Sequence, residues 1–510
     1  MSVLNLIILI PILAAAAILL GAPARRTAFG AAVLNLILVL AALFRFDPAS
    51  GDRFQFTSSF TVLSSLDMKY FVGADGLTLV MLLLTALVTL AAVWVTPEVA
   101  KFEKQFYACL LFISAGAAGA FASLDLFFFY AFHELALIPT FLLIGIWGSG
   151  DRQAAAWKIT IYLAVGSFVL LIGLIGLYQI LPESLRTFDI PKLQEYAAAG
   201  KLNTASANSI YLLLLIGFGI LVSLFPFHTW APQAYASAPA PAAMLHAGVL
   251  KKFGLYGLLR VALPLLPGAA TQPFHLRLCC HEFVFTANNL LLVLLVGNII
   301  YVGLVTIAQK RLDLMLGYSS VMHMGYIFLG IAAFNPLGLS GAALLMFAHG
   351  LSIAALFALS GQLRQRTDTL AFSDLGGLAK QMPLLGFVFG LAAFASIGLP
   401  GFGNFASEIM IFFGAFGNAG EGLHFTNIQI ATMFALWGVV ISAVYMLRGY
   451  RAVFMGPVDK RWTQLPDLGC SLRWPIFLLL AALLVAGFCP RLFIHFIQPG
   501  LQAILAHARP

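Results

Sequence analysis

Six residues of types that can carry a proton stand in strongly apolar surroundings. Glu134 lies in the run Phe127 to Trp147, Lys251 and Lys252 are adjacent between Ala247 and Leu259, and Glu408 follows the segment Gly398 to Asn404. His323 and His349 sit in Ser-Val-Met-His-Met-Gly and Phe-Ala-His-Gly-Leu-Ser. A charge at the middle of a membrane helix costs roughly 2.5–3.5 kcal/mol on insertion scales, and such residues normally face a protein interior or a wet path. Carboxylate, amine and imidazole groups along one path can hand a proton from one to the next, and imidazole suits relay near neutral pH. Structural ion pairing is the alternative for Glu134, Lys252 and Glu408, and hydrogen-bonded packing is the alternative for the two histidines. Asp75 and Arg260 are also charges in apolar stretches, whereas Asp125 is equally well read as a helix cap. His228, beside Pro226, is placed to satisfy a freed carbonyl, and His133 and His246 are weaker candidates.

The elements that hold these residues are membrane helices. Of 510 residues 61% are hydrophobic and 9% charged, with a mean hydropathy of +0.97. A soluble protein carries about a quarter charged residues, so a water-soluble globule is excluded. The net charge of +8 arises from a shortage of acids, and its basic residues occupy short loops, which excludes a nucleic-acid binder. With about 20 apolar residues needed per crossing, fourteen spans follow: 2–21, 28–45, 74–95, 106–123, 124–146, 158–181, 209–226, 240–263, 287–308, 312–333, 339–363, 383–413, 427–449 and 474–494. Arg25 and Arg26 come only after the first apolar stretch, the pattern of a retained first span and not of a cleaved signal.

Loops after odd-numbered spans hold sixteen Lys and Arg, against nine on the other side, tails included. The positive-inside rule puts the sixteen in the cytoplasm and both termini outside. Spans 7 and 12 are interrupted, by Phe225-Pro-Phe-His-Thr-Trp-Ala-Pro232 and Gly398-Leu-Pro-Gly-Phe-Gly-Asn404. Proline removes an N–H donor, and irregular backbone at membrane depth is tolerated only where protein or water satisfies it. Paired broken helices point to an ion path between repeats. With halves 106–263 (spans 4–8) and 287–449 (spans 9–13), both breaks fall on the fourth helix; 1–105 and 450–510 flank them. The segment 181–208 reads as exposed loop and 494–510 as a short interfacial helix.

No dinucleotide, phosphate-loop, zinc-protease or nucleophile-elbow motif is present, and Cys109, Cys279, Cys280, Cys470 and Cys489 form no CxxC or metal-ligand spacing. The residues alone therefore describe an all-α polytopic proton or cation translocator.

The chain resembles the antiporter-like subunits of respiratory complex I, most closely the M-type members. The resemblance rests on Gly73-Ala-Asp-Gly-Leu-Thr-Leu, Leu124-Asp-Leu-Phe-Phe-Phe-Tyr-Ala-Phe-His-Glu-Leu-Ala-Leu-Ile-Pro139, Pro226-Phe-His-Thr-Trp, Ala247-Gly-Val-Leu-Lys-Lys-Phe-Gly-Leu-Tyr-Gly-Leu-Leu-Arg260, Tyr318-Ser-Ser-Val-Met-His-Met-Gly325 and Leu399-Pro-Gly-Phe-Gly-Asn-Phe-Ala-Ser-Glu408. It implies two inverted five-helix repeats and a place in the proton-pumping membrane arm of an NADH-quinone oxidoreductase in a bacterial plasma membrane, beside L-type and N-type subunits. NADH, FMN, iron–sulfur clusters and quinone would then sit in partner subunits, with no redox site or cofactor on this chain. It implies Glu134 as the glutamate of the first half-channel, Lys252 as the central lysine and Glu408 as the acid of the second half-channel, where L-type and N-type members carry lysine.

One departure matters. The family's lysine on span 7, partner of the span 5 glutamate, is Leu221 here, and a following Leu-Pro-Asp-Ala-His reads Ala231-Pro-Gln-Ala-Tyr235. Lys251 is the expected substitute, pairing with Glu134 while Lys252 keeps the central role. The alternatives are a cation/proton antiporter subunit, against which Glu408 argues, and a non-pumping scaffold of a hydrogenase-type or ferredoxin-fed complex.

Overall fold

The computed structural model describes residues 2–266, 268–278, 281–417 and 424–507. Cys279, Cys280 and Arg509 lie outside the described residues. Among those described, helical segments follow all fourteen expected spans: α1 (Val3–Leu19), α2 (Ala24–Arg45), α3 (Gly76–Val95), α4 (Glu103–Ala122), α5 (Leu126–Trp147), α6 (Arg152–Gln179), α7a (Ala207–Val222) with α7b (Trp230–Ser237), and α8 (240–265). The series continues with α9 (Ala287–Ala308), α10 (Leu312–Ala332), α11 (Pro336–Thr367), α12a (Pro383–Ile397) with α12b (Gly403–Phe416), α13 (Asn427–Phe454) and α14 (Cys470–Phe488). The chain is a multi-pass membrane protein: among the described residues ten of these helices are individually long and apolar enough to cross a bilayer, and the shorter apolar ones are α1, α7a, α12a and α12b.

Local chemistry sets the ends. Asp75 caps α3 by accepting from the Thr78 N–H at 2.9 Å, and Asn335 caps α11 ahead of Pro336. Thr426 and Gln429 form a reciprocal capping box on α13. Helix α11 is apolar all round and buried throughout its hydrophobic window, whereas α2, α13 and α14 leave Phe44, Trp437 and Phe488 exposed. A helix hydrophobic on every side belongs at the centre of its bundle, and α11 packs there against α12b and α10 first, with α3, α8, α12a, α14 and the C-terminal helix Pro490–His507 also around it.

Two expectations need correction, and two connections between spans carry strands. The connection 46–75 and the one before α9 are not plain loops but carry antiparallel hairpins, β1 (Gln55–Leu63) with β2 (Met68–Ala74) and β3 (Pro273–Leu278) with β4 (His281–Thr286). The segment 181–208 is not simply exposed: the helix Ile190–Ala198 buries Ile190, Leu193, Gln194 and Ala197. Span 14 ends at Phe488, because Pro490 starts a new helix, α15 (Pro490–His507), that buries Phe493, Ile497, Leu501 and Ile504.

Candidate functional site

The centre of the site is an irregular stretch of α8. Two π turns, His246–Leu250 and Leu258–Ala262, flank the short α-helical piece Lys252–Gly257. In a π turn each N–H reaches five residues back, as the Lys251 N–H reaches the His246 carbonyl at 3.0 Å, so the ordinary ladder is locally offset. The Ala247 carbonyl here accepts from the Lys252 ammonium at 2.8 Å. The same nitrogen lies 3.0 Å from His349 Nδ1 on α11. An ammonium only donates, so His349 Nδ1 accepts and the ring proton sits on Nε2 while Lys252 is charged. Lys251 is equally buried but points elsewhere: its nitrogen is 3.4 Å from Ser320 Oγ on α10 and 5.7 Å from the centre of the Tyr235 ring on α7b. Among the described residues neither lysine pairs with a carboxylate.

From Lys252 the polar groups continue towards α12. The His349 and His323 rings are 5.4 Å apart. Both nitrogens of His323 face carbonyls at 2.8 Å, Nδ1 towards Ser319 and Nε2 towards Ser396. Carbonyls only accept, so a ring making both bonds is an imidazolium, and a neutral ring makes one of them. Ser396 closes α12a, where Gly398 turns left-handed at φ +83°. The left-handed backbone favours glycine at 398, and a Cβ there would push the Glu408 carboxylate aside. Among the described residues, Glu408 Oε1, Asn404 Oδ1 and Tyr326 Oη are buried without a hydrogen-bond partner. Asn404 and Glu408 share one face of α12b at i, i+4, and Tyr326 packs on Phe412 one turn further along. Buried polar atoms are normally paired, so this corner suits ordered water.

The first half is arranged differently. Pro139 offers no N–H to the Leu135 carbonyl, and α5 is interrupted at Ala136, two residues after Glu134. The Glu134 side chain is 34% exposed on the flank of the chain, 3.6 Å from His133 Nδ1, and accepts a hydrogen bond from Ser167 on α6. Between it and Lys252 lies an aromatic cluster: His133 stacks on Phe253 at 4.0 Å, and Phe253 stacks on Phe129 at 4.5 Å with Phe218 beside them. Leu221 is buried against Gly166, next to Ser167. The expected Lys251–Glu134 pair is therefore not formed. Neighbouring helical positions point about 100° apart; with Lys252 turned to α11, Lys251 faces α10 and α7b.

Other sequence candidates have structural partners. Asp125 caps α5, accepting from the Phe127 and Phe128 N–H groups at 2.9 and 3.2 Å. Asp75 and Arg260 form a buried bidentate pair at 2.6 and 2.7 Å, joined to Thr78 and Tyr256. The Phe54 ring carries both the Arg260 and Arg53 guanidinium groups, and burial together with Arg260 pushes Arg53 down to about 10. The α7 break is closed by Trp230, whose indole N–H reaches the Ile220 carbonyl at 3.2 Å, and by Asn298, which bonds Phe225, Ser223 and Val321. Asn298 had no signal in the sequence beyond a polar residue in an apolar span.

Residues 123–435 match the family described as NADH:quinone oxidoreductase/Mrp antiporter, TM. The chain belongs to this family. A NAD(P)H-quinone oxidoreductase chain 4 from Gloeobacter violaceus is 34% identical over 488 residues, covering 95% of this chain and 88% of that protein. NADH-quinone oxidoreductase subunit M of Rickettsia prowazekii is 34% identical over 429 residues, covering 84% of this chain and 81% of its own length. Among solved structures, a chain of respiratory complex I from Thermus thermophilus superposes with a TM-score of 0.87 at 27% identity, covering 99% of this chain and all of that one. A chain of the Mrp complex from Dietzia sp. shares the fold, with a TM-score of 0.82 at 21% identity over 98% of this chain and 99% of that one.

Proposed function

We propose that this chain is the M-type proton-translocating subunit in the membrane arm of a bacterial NADH-quinone oxidoreductase. The observation that carries the reading is the contiguous buried group Lys252, His349 and His323, which runs from the offset turn of α8 to the break of α12 beside Glu408. Electron transfer takes place in partner subunits, which hold NADH, FMN, iron–sulfur clusters and quinone; L-type and N-type subunits lie alongside. The loops rich in Lys and Arg face the cytoplasm, both termini face outward in the bacterial plasma membrane, and 106–263 and 287–449 act as the two inverted repeats.

In this reading Lys252 holds a proton between the Ala247 carbonyl and His349 Nδ1. When a nearby charge changes, the Lys252 N–H bond breaks and an N–H bond forms at His349 Nδ1, leaving a neutral amine and an imidazolium. That charge then moves through water past Asn404 towards Glu408. A second reading, a non-pumping scaffold, draws on Leu221 and on the aromatic cluster that separates Glu134 from Lys252.

The test is proton transport by the assembled complex in sealed vesicles, comparing wild type with Lys252→Ala and Glu134→Ala while NADH oxidation and assembly are followed. Loss of pumping in both assembled variants supports translocation through both halves. Loss in Lys252→Ala alone means that the first half has been rerouted, and normal pumping in both makes the chain a scaffold.

A further inference from the structure

We infer that Lys251 is a second proton carrier, loaded through Tyr235 from a cavity on the side of the odd-numbered loops, and that this intake replaces the one through Glu134. The inference rests on the pumping function proposed above.

The cavity has a volume of about 820 Å³. Its lining runs from the charged side chains Arg152, Asp313 and Arg364 to the buried Tyr235, Ala243 and Phe357. Asp313 is held there by Arg311 and Arg364. Tyr235 thus borders the cavity and also carries the Lys251 ammonium over its ring, at 5.7 Å from the centre. Its hydroxyl lies 3.1 Å from His246 Nδ1. His246 opens the π turn that closes on the Lys251 N–H, so the hydroxyl's partner and the lysine are bound into one turn of backbone.

The route through Glu134 lacks such continuity. His133, beside the Glu134 carboxylate, stacks on Phe253 with Phe129 and Phe218 around that ring, and among the described residues no hydrogen bond runs from His133 Nδ1 towards either lysine. On the Tyr235 side, by contrast, a hydroxyl, an imidazole and an amine meet within one turn of α8.

Two adjacent, fully buried ammonium groups without a carboxylate would repel each other at low dielectric. The pair therefore holds one positive charge at a time. A hydronium in the cavity protonates Tyr235 Oη as the hydroxyl's own proton passes, through one water, to the neutral amine of Lys251. Lys252, charged until then, gives its proton to His349 Nδ1 and becomes the neutral amine. One proton leaves the cavity, one reaches His349, and the lysine pair carries a single charge before and after.

The experiment compares Lys251→Met, Tyr235→Phe and Lys252→Ala in the assembled complex, measuring protons pumped per NADH oxidised in sealed vesicles. Tyr235→Cys adds a readout independent of pumping: labelling of the introduced thiol by a membrane-impermeant reagent, above the wild-type cysteine background, from the cytoplasmic face. The expected result is that Lys251→Met and Tyr235→Phe lose as large a share of pumping as Lys252→Ala, and that the introduced thiol is labelled from that face alone. If Lys252→Ala loses pumping while Lys251→Met and Tyr235→Phe keep it, the intake is elsewhere although the subunit pumps. If all three pump normally, the underlying function is wrong as well. If those variants do not assemble, absence of labelling in assembled Tyr235→Cys complex still overturns the route.

Discussion

Gly248 and Gly350 lie against each other where α8 crosses α11, and this close approach sets the 3.0 Å contact between the neighbouring Lys252 and His349. A methyl group at 350 would stand 2.6 Å from the Gly248 carbonyl oxygen, and one at 248 would stand 3.0 Å from the Gly350 carbonyl oxygen. Backbone atoms cannot swing aside as a flexible side chain can, so the helices must part.

Gly350→Ala is accordingly expected to cost about 1–3 kcal/mol by overpacking and to pull the lysine from the histidine. Gly248→Ala should be milder. The check is thermal denaturation of the purified complex with pumping in vesicles: Gly350→Ala lowers both, and an unchanged melting temperature would show that the crossing tolerates the extra atom.

Glu408→Gln keeps the volume and most of the packing of the α12 corner but cannot release a proton. The complex should assemble at wild-type yield and oxidise NADH while pumping fewer protons per turnover. Gly398→Ala reaches the same carboxylate through the backbone: its φ of +83° costs about 1–2 kcal/mol for a residue with a Cβ, and the methyl displaces Glu408. Its melting temperature should therefore fall, whereas that of Glu408→Gln should not.

The charges themselves were legible because a Lys, Glu or His in an apolar run is anomalous wherever it stands, and the fourteen spans were legible because bilayer thickness imposes one length. The broken helices were legible from Pro226 and Pro232 in one and from Pro400 with Gly398, Gly401 and Gly403 in the other. What could not be read was direction. The adjacency of Lys251 and Lys252 implies divergence but does not say which meets His349, because that depends on π turns that leave no mark in composition. Asn298 stitches α9 to a break 75 residues earlier at Ser223, a relationship only three dimensions reveal. The β1–β2 hairpin had a readable signal, the Phe, Thr, Val and Tyr content of 55–74, yet lay in a stretch taken as connection between spans.

Asp67, in the turn between β1 and β2, ties this hairpin to the segment after α6. It accepts from Thr187 at 2.7 Å and pairs with Lys69 and Lys192. Partial burial opposes its charge, but the Lys69 and Thr187 hydrogen bonds and the two lysines outweigh it and hold its carboxyl below the usual range. A carboxyl lowered in the folded state contributes stability above its unfolded pKa of about 3.9 and loses it as pH falls through the folded value. Proteolysis of the 181–192 region should be slow from pH 7 to 5 and faster below about pH 4. Asp67→Asn should be cleaved faster at pH 7, and the two proteins should converge at the acid end. A difference that persists there would assign the tie to the Thr187 hydrogen bond alone.

Asp75 and Arg260 provide the sharpest test of structure against transport. Both are buried, both carboxylate oxygens are taken by the guanidinium, and Asp75 also caps α3. Removing one member of such a pair leaves an uncompensated buried charge, at a cost of about 3–5 kcal/mol, whereas removing both often costs little. Arg260→Met should therefore reduce assembly sharply. In Asp75→Asn/Arg260→Met the asparagine still accepts from the Thr78 N–H, since Asn caps helices as well as Asp does, and the charge is gone. That double variant should regain most of the assembly yield and pump normally if the pair only joins α3 to the end of α8. A double variant that assembles but does not pump would make the pair part of the proton path, extending the Lys252 stripe of α8 through Tyr256 to Arg260.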